Sequence, residues 1–310
     1  MKQNTAVVTS PPVGSHVASG PDVSQAKQLA SEALDRLIEA VEAGHSRQLT
    51  DYLAMLGRFH QYSLANVLLI AMQCPGAAHV AGYRTWQRLG RQVRRGESSI
   101  RILAPIIRRA GDDDQEEEEK VVAFRTVGVF DVSQPSGAPL PQFARAKGSP
   151  GKYSDRLREL IRSRGIALQY SDDIAPALGI SSGGQITVRC GLAPAAEFSV
   201  LVHELAHEML HKSNGAGNRT VRETEAEAVA FVVCQAIGLD SGTASSDYIQ
   251  LYRGKKETLI ESLGRIQQAA AEIIRGISPH DGSRMNDDEQ AHRERLRASS
   301  RAQEEALHDR

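Results

Sequence analysis

The sequence is poor in cysteine and in aromatic residues, and it contains no long hydrophobic run. Its three cysteines, Cys74, Cys190 and Cys234, are far apart and odd in number, which excludes a disulfide framework and a CxxC metal site. No run approaches the ~18 apolar residues that cross a bilayer, and the first twenty residues lack the apolar core of a secretory signal. We therefore expect free thiols in a cytoplasmic protein that makes no membrane contact.

The sequence also lacks an excess of charge of either sign. Lys and Arg total 37, Asp and Glu total 38, and the net charge is -1. This balance excludes a protein that holds nucleic acid through its overall charge, so any such affinity must come from a local patch. The length of 310 residues, 41% of them hydrophobic, predicts two domains with tails.

Composition divides the chain into five segments. Residues 1–22 are rich in Ser, Pro and Gly without periodicity, which predicts a disordered tail. Residues 23–134 and 151–278 carry helical and strand patterns, and a Pro/Gly/Ser-rich linker at 135–150 separates them. Residues 279–310 are charged with few large apolar side chains, so we expect a second disordered tail. The mixture of patterns predicts the α+β fold class.

Apolar spacing and turn residues predict the individual elements. Recurrence at three and four residues predicts helices, and short β-branched runs predict strands. The expected helices span 23–43, 49–56, 63–72, 153–163, 195–212, 220–237 and 246–277, and a further short helix runs through Trp86. The expected strands span 100–107, 121–132, 166–171 and 185–189.

The sharpest chemical signal is the motif His203-Glu204-Leu205-Ala206-His207. Residues four apart lie on one face of a helix, so both imidazoles can reach one ion, and Zn²⁺ accepts neutral imidazole nitrogens. Glu204 lies beside that face, where a general base can take a proton from water. The preceding apolar residues bury the helix, and buried histidines are costly without a common partner. A helix with surface histidines is the competing interpretation.

A catalytic zinc site needs a third protein ligand and an open position. His211 continues the four-residue repeat but lies about 12 Å along the axis from His203, too far to share the ion. On the next helix, Glu223 and Glu227 lie on one narrow face, whereas Glu225 points almost opposite. We expect Glu223 or Glu227 as the third ligand, with the other holding an imidazole N–H. Two solvated glutamates at a helix N-terminus are the alternative.

The second signal is an arginine-rich stretch at 84–109, with eight arginines and one acid, Glu97. Arginines follow a phosphate backbone and exposed aromatic rings stack on unpaired bases, which favours single-stranded nucleic acid. The candidate contacts are Tyr83, Arg84, Trp86, Arg88, Arg91, Arg94, Arg95 and Arg101. A solvated arginine face with Trp86 in the core is the alternative. The acidic run 111–120 is expected to be a solvated loop, and a competing hypothesis places it over the arginines.

Both signals occur in motifs that resemble one family. The stretch GYRTWQRLGRQVRRGESSIRILAP, with YSLANVLLI before it and FDVSQ after it, is similar to the N-terminal domain of ArdC-type antirestriction proteins. The HExxH motif followed by ExEAxAxA is similar to their C-terminal metallopeptidase domain and to ImmA/IrrE-type metallopeptidases. The resemblance implies an α/β single-stranded-DNA-binding domain and then a zincin-like, gluzincin-type domain. It implies Zn²⁺ on His203, His207 and Glu223, with Glu227 as the alternative. It also implies a substrate-pairing edge strand at Gln185–Arg189, with an ordinary sheet strand as the alternative.

Three functional hypotheses follow from these patterns. The first is a zinc metallopeptidase with catalytic Glu204, a protein or peptide substrate and a single-stranded-DNA-binding domain, related to antirestriction or mobile elements. Tyr248 or Tyr252 is its candidate oxyanion partner. The second is a non-catalytic antirestriction protein that binds single-stranded DNA and uses zinc structurally. The third is an ImmA-like regulator that cleaves a repressor.

Overall fold

The structure is a computed structural model that describes residues 23–43, 46–110, 118–138, 149–211, 218–239 and 256–278. Within these ranges it is a mixed α+β fold of eight helices and eight strands. The predicted tails 1–22 and 279–310 lie outside the described residues, as do Tyr248 and Tyr252 and most of the acidic run and of the linker.

Three helices open the N-terminal region: α1 (Val23–Glu42), α2 (Ser46–Arg58) and α3 (Leu64–Gln73). They confirm the predicted apolar periodicity to within three residues at each end. The hydroxyl of Ser63 caps α3 by accepting a hydrogen bond from the backbone of Asn66. The Asn66 amide, fully buried, then bonds both backbone groups of Leu103 and so anchors α3 to the neighbouring sheet.

The N-terminal sheet contains β1 (Val80–Gly82), β3 (Ile100–Ala110) and β4 (Glu118–Asp131) in the antiparallel order β1-β4-β3. The helix α4 (Tyr83–Arg88) follows β1, and β2 (Arg91–Val93) pairs with β5 (Pro135–Gly137). The strand β5 lies inside the predicted linker 135–150. Backbone pairing with β2 therefore orders a segment whose composition resembles a loop.

The C-terminal region begins with α5 (Lys152–Ser163) and a small sheet of β6 (Ala167–Tyr170), β7 (Gly179–Ser181) and β8 (Gln185–Val188). The order is β6-β8-β7, with β8 parallel to β6 and antiparallel to β7. The expectation that Gln185–Arg189 forms an edge strand is wrong. It forms the central strand, because β7, which has no strand pattern in its sequence, occupies one of its sides.

Three long helices complete the described chain: α6 (Pro194–Leu210), α7 (Arg219–Ile237) and α8 (Lys256–Ile277). Pro194 starts α6 at a position that suits its fixed φ, and Gly238 ends α7 in the left-handed region with φ 73°. The helix α7 packs against α2, α6 and α8. It is therefore buried on most sides. No helix in the described ranges is both long and apolar enough to cross a membrane.

The two predicted domains share one hydrophobic core. A Cβ atom on Gly57 of α2 would lie 2.8 Å from the carbonyl oxygen of Val232 in α7, so only glycine permits this close helix contact. The Gln267 side chain of α8 donates a hydrogen bond to the carbonyl of Tyr62. The N-terminal helix α2 thus packs directly on α7, the helix that carries the glutamates after the HExxH motif.

Candidate functional site

The helices α6 and α7 bring His203, His207 and Glu223 together. The two Nε2 atoms are 3.1 Å apart, and Glu223 Oε2 lies 3.6 Å from the Nε2 of His203 and 3.5 Å from that of His207. The metal-ligand role of all three residues remains a prediction. Their donor atoms form the only cluster of three or more histidine, cysteine or carboxylate groups with metal-site spacing within the described ranges.

The donor triangle has the dimensions of a transition-metal site. A point equidistant from three atoms with separations of 3.1, 3.5 and 3.6 Å lies about 2.0 Å from each, close to the ~2.0–2.1 Å of zinc–imidazole and zinc–carboxylate bonds. Two lone pairs that face each other at 3.1 Å repel unless a proton or a cation lies between them. The residues present therefore fit a divalent cation bound by two nitrogens and one oxygen.

Glu223 leaves one side of this cluster open. Its side chain is 51% exposed, compared with 26% for His203 and 15% for His207. It lies one turn into α7, which begins after Asn218, whose side chain caps the helix through Thr220. Glu227, the alternative ligand, lies outside the donor set, although its charge acts to raise the pKa of His203. The structure therefore favours Glu223 over Glu227.

The electrostatics of the two histidines suit metal binding. Burial lowers the pKa of His203, against the opposing effect of the Glu223 carboxylate. Burial also lowers the pKa of His207 to about 4, with a further contribution from the neighbouring His203. Both imidazoles are therefore neutral near pH 7, and a neutral ring is the form that binds a metal.

Glu204 lies beside the donor cluster and is buried. It accepts hydrogen bonds from the backbone N–H and the hydroxyl of Ser181 in β7. A Cβ on Gly179 would lie 2.7 Å from Glu204 Oε1, so glycine is required for the carboxylate to occupy this position. Burial raises the pKa of Glu204 to about 7, with a second contribution from Glu223. A bound cation would lower that pKa again and leave a carboxylate able to accept a proton.

Sequence reasoning missed a set of polar residues behind the site. His211 lies outside the donor cluster, as expected, but its ring contacts both His207 and Glu225. Burial acts to raise the pKa of Glu225, but hydrogen bonds from His211, Arg265 and Ser262 outweigh burial and lower it. The signal that could have revealed this set is Glu225, a single glutamate on the otherwise apolar side of α7.

A cleft of about 570 Å³ in the N-terminal region contains part of the predicted DNA-binding surface. Tyr83 is 42% exposed, its ring forms a T-shaped contact with Phe130 with the centroids 6.3 Å apart, and its hydroxyl accepts a hydrogen bond from Gln92. The cleft is lined by Tyr83, Gln92, Val93, Arg94, Arg95, Glu97, Phe130 and Ser136. It therefore offers an exposed aromatic face between cationic side chains.

Three of the predicted DNA contacts have hydrogen-bond partners within the structure. Trp86 is 2% exposed and its indole N–H donates to the carbonyl of Phe130, so its ring faces are not available to a base. Arg91 donates to two backbone carbonyls at β5. Arg94 pairs with Glu97 at 2.6 Å. The alternative interpretation of Trp86 as a core residue is the one that the structure supports.

The other predicted arginines differ in exposure. Arg84 and Arg88 are exposed one turn apart on α4, and Arg95 is exposed at the rim of the cleft. No carboxylate of the described residues pairs with these three side chains. Arg101 is partly buried on β3, where Gln73 bonds its backbone. The exposed cations of this region are therefore concentrated on α4 and at the turn after β2.

Residues 27–130 match the family profile of the N-terminal domain of the anti-restriction factor ArdC. This match confirms the resemblance that the sequence motifs predicted for that region. An uncharacterized pXO2 protein of Bacillus anthracis is 23% identical over 305 residues, which cover 82% of this chain and 52% of that protein. The chain thus spans about half the length of this relative.

Two crystal structures of the antirestriction protein ArdC from plasmid R388 are also similar. The metal-free structure is 20% identical and covers 80% of this chain and 97% of that one. The Mn(II)-bound structure is 19% identical and covers 82% of this chain and 99% of that one. The TM-score is 0.47 in both comparisons.

Proposed function

We propose, from an N-terminal region that belongs to the ArdC N-terminal domain family, that this protein is an ArdC-type antirestriction protein with metallopeptidase chemistry. In this proposal, residues 23–134 bind single-stranded DNA. The zincin-like region at 151–278 holds Zn²⁺ on His203, His207 and Glu223 and hydrolyses a peptide bond. The proposed location is the cytoplasm.

The observation that carries the enzymatic part is the placement of Glu204 next to an open donor cluster. Three donors approach within 3.6 Å of one another, and the most exposed of them, Glu223, leaves room for a fourth, exchangeable ligand. A purely structural zinc site is normally closed by four protein ligands. Ser181 holds the Glu204 carboxylate beside this cluster, which is the position that a proton acceptor for metal-bound water requires.

The residues of this chain divide the reaction between them. When bound, Zn²⁺ supplies a Lewis acid that polarises a carbonyl oxygen and acidifies water. Glu204 accepts the proton of the attacking water and returns it to the leaving amine nitrogen. The two histidines of α6 and Glu223 of α7 would hold the ion between these two helices. The donor set of two imidazoles and one carboxylate favours zinc over manganese. Manganese prefers sites in which most ligands are oxygen atoms.

The strand β7 is the proposed position of an extended substrate. It is an edge of the described sheet, and its residues Gly179 and Ser181 contact Glu204. A peptide that adds to such an edge gains main-chain hydrogen bonds and lies beside the catalytic carboxylate. Ile180, between these two residues, is 42% exposed and can contact an apolar side chain of the substrate.

The N-terminal region supports the DNA-binding part of the proposal. Exposed Arg84, Arg88 and Arg95 can neutralise phosphates, and the open face of Tyr83 can stack on an unpaired base. These contacts carry no hydrogen-bond pattern specific to one base. We therefore propose binding with little sequence preference.

A second candidate function is an antirestriction protein that only binds DNA and uses the metal to stabilise its fold. The observation that favours it is the core that α2 and α7 share through the close contact at Gly57. A cation held between α6 and α7 would stabilise the same core. A regulator that cleaves a repressor shares the proposed chemistry and differs only in its substrate.

The substitution Glu204→Gln separates these candidates. We expect unchanged zinc stoichiometry by elemental analysis and a loss of about 10²- to 10⁴-fold in cleavage of a proteome-derived peptide library, because the proton acceptor is removed. Protection of transferred DNA in cells should fall with cleavage. Full protection by the Glu204→Gln protein would support the binding-only candidate, and undiminished cleavage would refute the proposed chemistry.

The matched control for this experiment is Glu208→Gln. Glu208 is another buried glutamate of α6, one turn further along the helix, and its carboxylate accepts hydrogen bonds from the backbone N–H groups of Gly183 and Gly184. The control removes the same charge from the same helix at a residue that is not a member of the donor set and that acts on Glu204 through its charge. It should therefore leave cleavage within a few-fold of that of the unsubstituted protein.

A further inference from the structure

His207 uses both of its ring nitrogens. Its Nε2 atom faces His203 and Glu223 in the donor cluster, and its Nδ1 atom lies 3.1 Å from Nδ1 of His211. Two ring nitrogens at this distance form a hydrogen bond only if one of them carries the proton and the other a lone pair. Which of these two nitrogens carries the proton decides whether Nε2 of His207 is free to bind a cation.

The other side of the His211 ring contacts a buried carboxylate. Its Nε2 atom lies 3.0 Å from Oε2 of Glu225, which is 2% exposed. The second oxygen of Glu225 accepts hydrogen bonds from the hydroxyl of Ser262 at 2.7 Å and from Nε of Arg265 at 3.2 Å. The guanidinium balances the charge of the carboxylate, so Glu225 acts as an acceptor on all sides.

This arrangement decides which atom donates and which accepts in each hydrogen bond that joins Glu225, His211 and His207. An ionised carboxylate can only accept, so Nε2 of His211 must donate to Glu225. When His211 carries only this one proton, its Nδ1 holds a lone pair, and Nδ1 of His207 donates to it. His207 is left with a lone pair on Nε2, the atom that points into the donor cluster.

We infer that His211 and Glu225 are positioning residues that hold His207 in its metal-binding tautomer, through the hydrogen-bonded series Glu225–His211–His207. This inference rests on the proposed metal site and extends it to a residue of α7 that points away from that site. It also explains why a charged residue is tolerated in the core beside α8: Glu225 keeps His211 oriented, and Arg265 and Ser262 satisfy its remaining acceptors.

A pair of substitutions at His211 tests the inference in the full-length protein. His211→Phe fills a similar volume but offers no acceptor to His207, so we expect zinc affinity to fall about 10- to 100-fold, the usual effect of losing the partner of a metal-binding histidine. His211→Gln retains an oxygen acceptor and should recover most of that affinity. Zinc affinity is measured by competition with a chromogenic chelator.

Glu208→Gln is the matched control, because it removes a buried carboxylate one residue from His207 that bonds Gly183 and Gly184 and lies outside the series. It should leave zinc affinity within about twofold of that of the unsubstituted protein. An equal loss of affinity in the Glu208→Gln and His211→Phe proteins would reduce the effect to general destabilisation and overturn the inference.

A direct measurement needs no substitution. Two-bond ¹H–¹⁵N spectra of the ¹⁵N-histidine-labelled protein, recorded without metal at slightly alkaline pH, report which ring nitrogen carries each proton. We expect protonated Nδ1 on His207 and protonated Nε2 on His211, and the opposite tautomer on either ring overturns the inference even if the His211→Phe protein does not fold.

The outcomes separate the inference from the proposed function. If the unsubstituted protein binds no zinc but shows these tautomers, the metal site fails and the orienting role of His211 stands. If it binds zinc with equal affinity with and without the His211 ring, the metal site stands and the positioning role fails.

Discussion

The donor cluster of His203, His207 and Glu223 and the arginine-rich region differ in how their polar groups are held. Around the cluster, Glu204 and Glu225 are buried, and each is fixed by hydrogen bonds from named partners. In the arginine-rich region, Arg84 and Arg88 are exposed on a short helix without a carboxylate partner among the described residues. One region has a rigid geometry, and the other offers charge without fixed geometry.

This difference predicts two kinds of recognition. A buried, hydrogen-bonded site requires little reorganisation when its ligand arrives, so it depends on individual atoms and tolerates few substitutions. Exposed arginines act through their summed charge and are sensitive to salt. Tyr83 and Trp86, three residues apart in α4, show the same contrast within one helix, since one ring is exposed and the other buried.

The largest expected effect comes from Trp86→Ala. Removing a buried indole should lower the free energy of unfolding by about 3–5 kcal/mol, because it leaves a cavity and deprives the Phe130 carbonyl of its donor. Tyr83→Ala should change stability by less than about 1 kcal/mol and weaken binding of single-stranded DNA by about 1–3 kcal/mol. Denaturant titration and fluorescence anisotropy with an oligonucleotide measure the two quantities.

Tyr83→Phe is the control for this comparison, because it keeps the ring and removes only the hydroxyl that bonds Gln92. It should retain most of the DNA affinity. A large loss of DNA affinity in a stably folded Trp86→Ala protein, with none in Tyr83→Ala, would reverse the assignment of the two rings.

The next effect distinguishes the two candidate carboxylate ligands. Glu223→Gln should weaken zinc binding by about 3 kcal/mol, or roughly 100-fold, which is one ligand's share of the binding free energy of a zinc site. Glu227→Gln, four residues along the same helix, should change it by less than about tenfold, because Glu227 lies outside the donor set. Isothermal titration calorimetry with Zn²⁺, and with Mn²⁺ or Co²⁺ for comparison, measures both.

The reverse order of effects would make Glu227 the ligand and require α7 to rotate relative to α6. Equal losses in both variants would indicate a net charge effect of the two carboxylates on the cation. That result would also remove the contrast with the arginine-rich region, which is expected to bind DNA through its summed charge.

The smallest expected effects come from single arginines. Arg84→Gln or Arg88→Gln should each reduce the salt-dependence slope of single-stranded-DNA binding by about 0.7, the value for one lost phosphate contact. Arg162→Gln removes the same charge from an exposed position on α5 and should leave the slope unchanged. Anisotropy titrations at several salt concentrations give the slopes. If all three variants keep the slope of the unsubstituted protein, the DNA binds elsewhere on the protein.

Local features were predictable from the sequence. The placement of His203 and His207 on one face of α6, with Glu204 beside that face, follows from helix geometry alone. The predicted α6 and α7 agree with the observed helices to within two residues at each end. The structure also places His211 outside the donor cluster, which agrees with the distance along the helix that the sequence predicts.

Features that depend on distant partners were not predictable. The strand β7 has the sequence Gly-Ile-Ser, and it is ordered by pairing with β8 rather than by its own propensity. The strand β5 lies in a stretch whose composition is that of a linker, and it is ordered for the same reason. Trp86 could equally have been exposed, because a six-residue helix carries too little periodicity to show which side faces the core.

Short-range order along the chain determined the helices, the HExxH geometry and the concentration of arginines, since each depends on residues within a few positions of one another. Tertiary packing alone decided that Glu223 and not Glu227 meets the histidines, that Trp86 is buried while Tyr83 is exposed, and that Glu225 faces His211. Each of these contacts depends on which helix or strand packs against the residue. The geometry of an isolated helix does not distinguish between two chemically identical side chains on its surface.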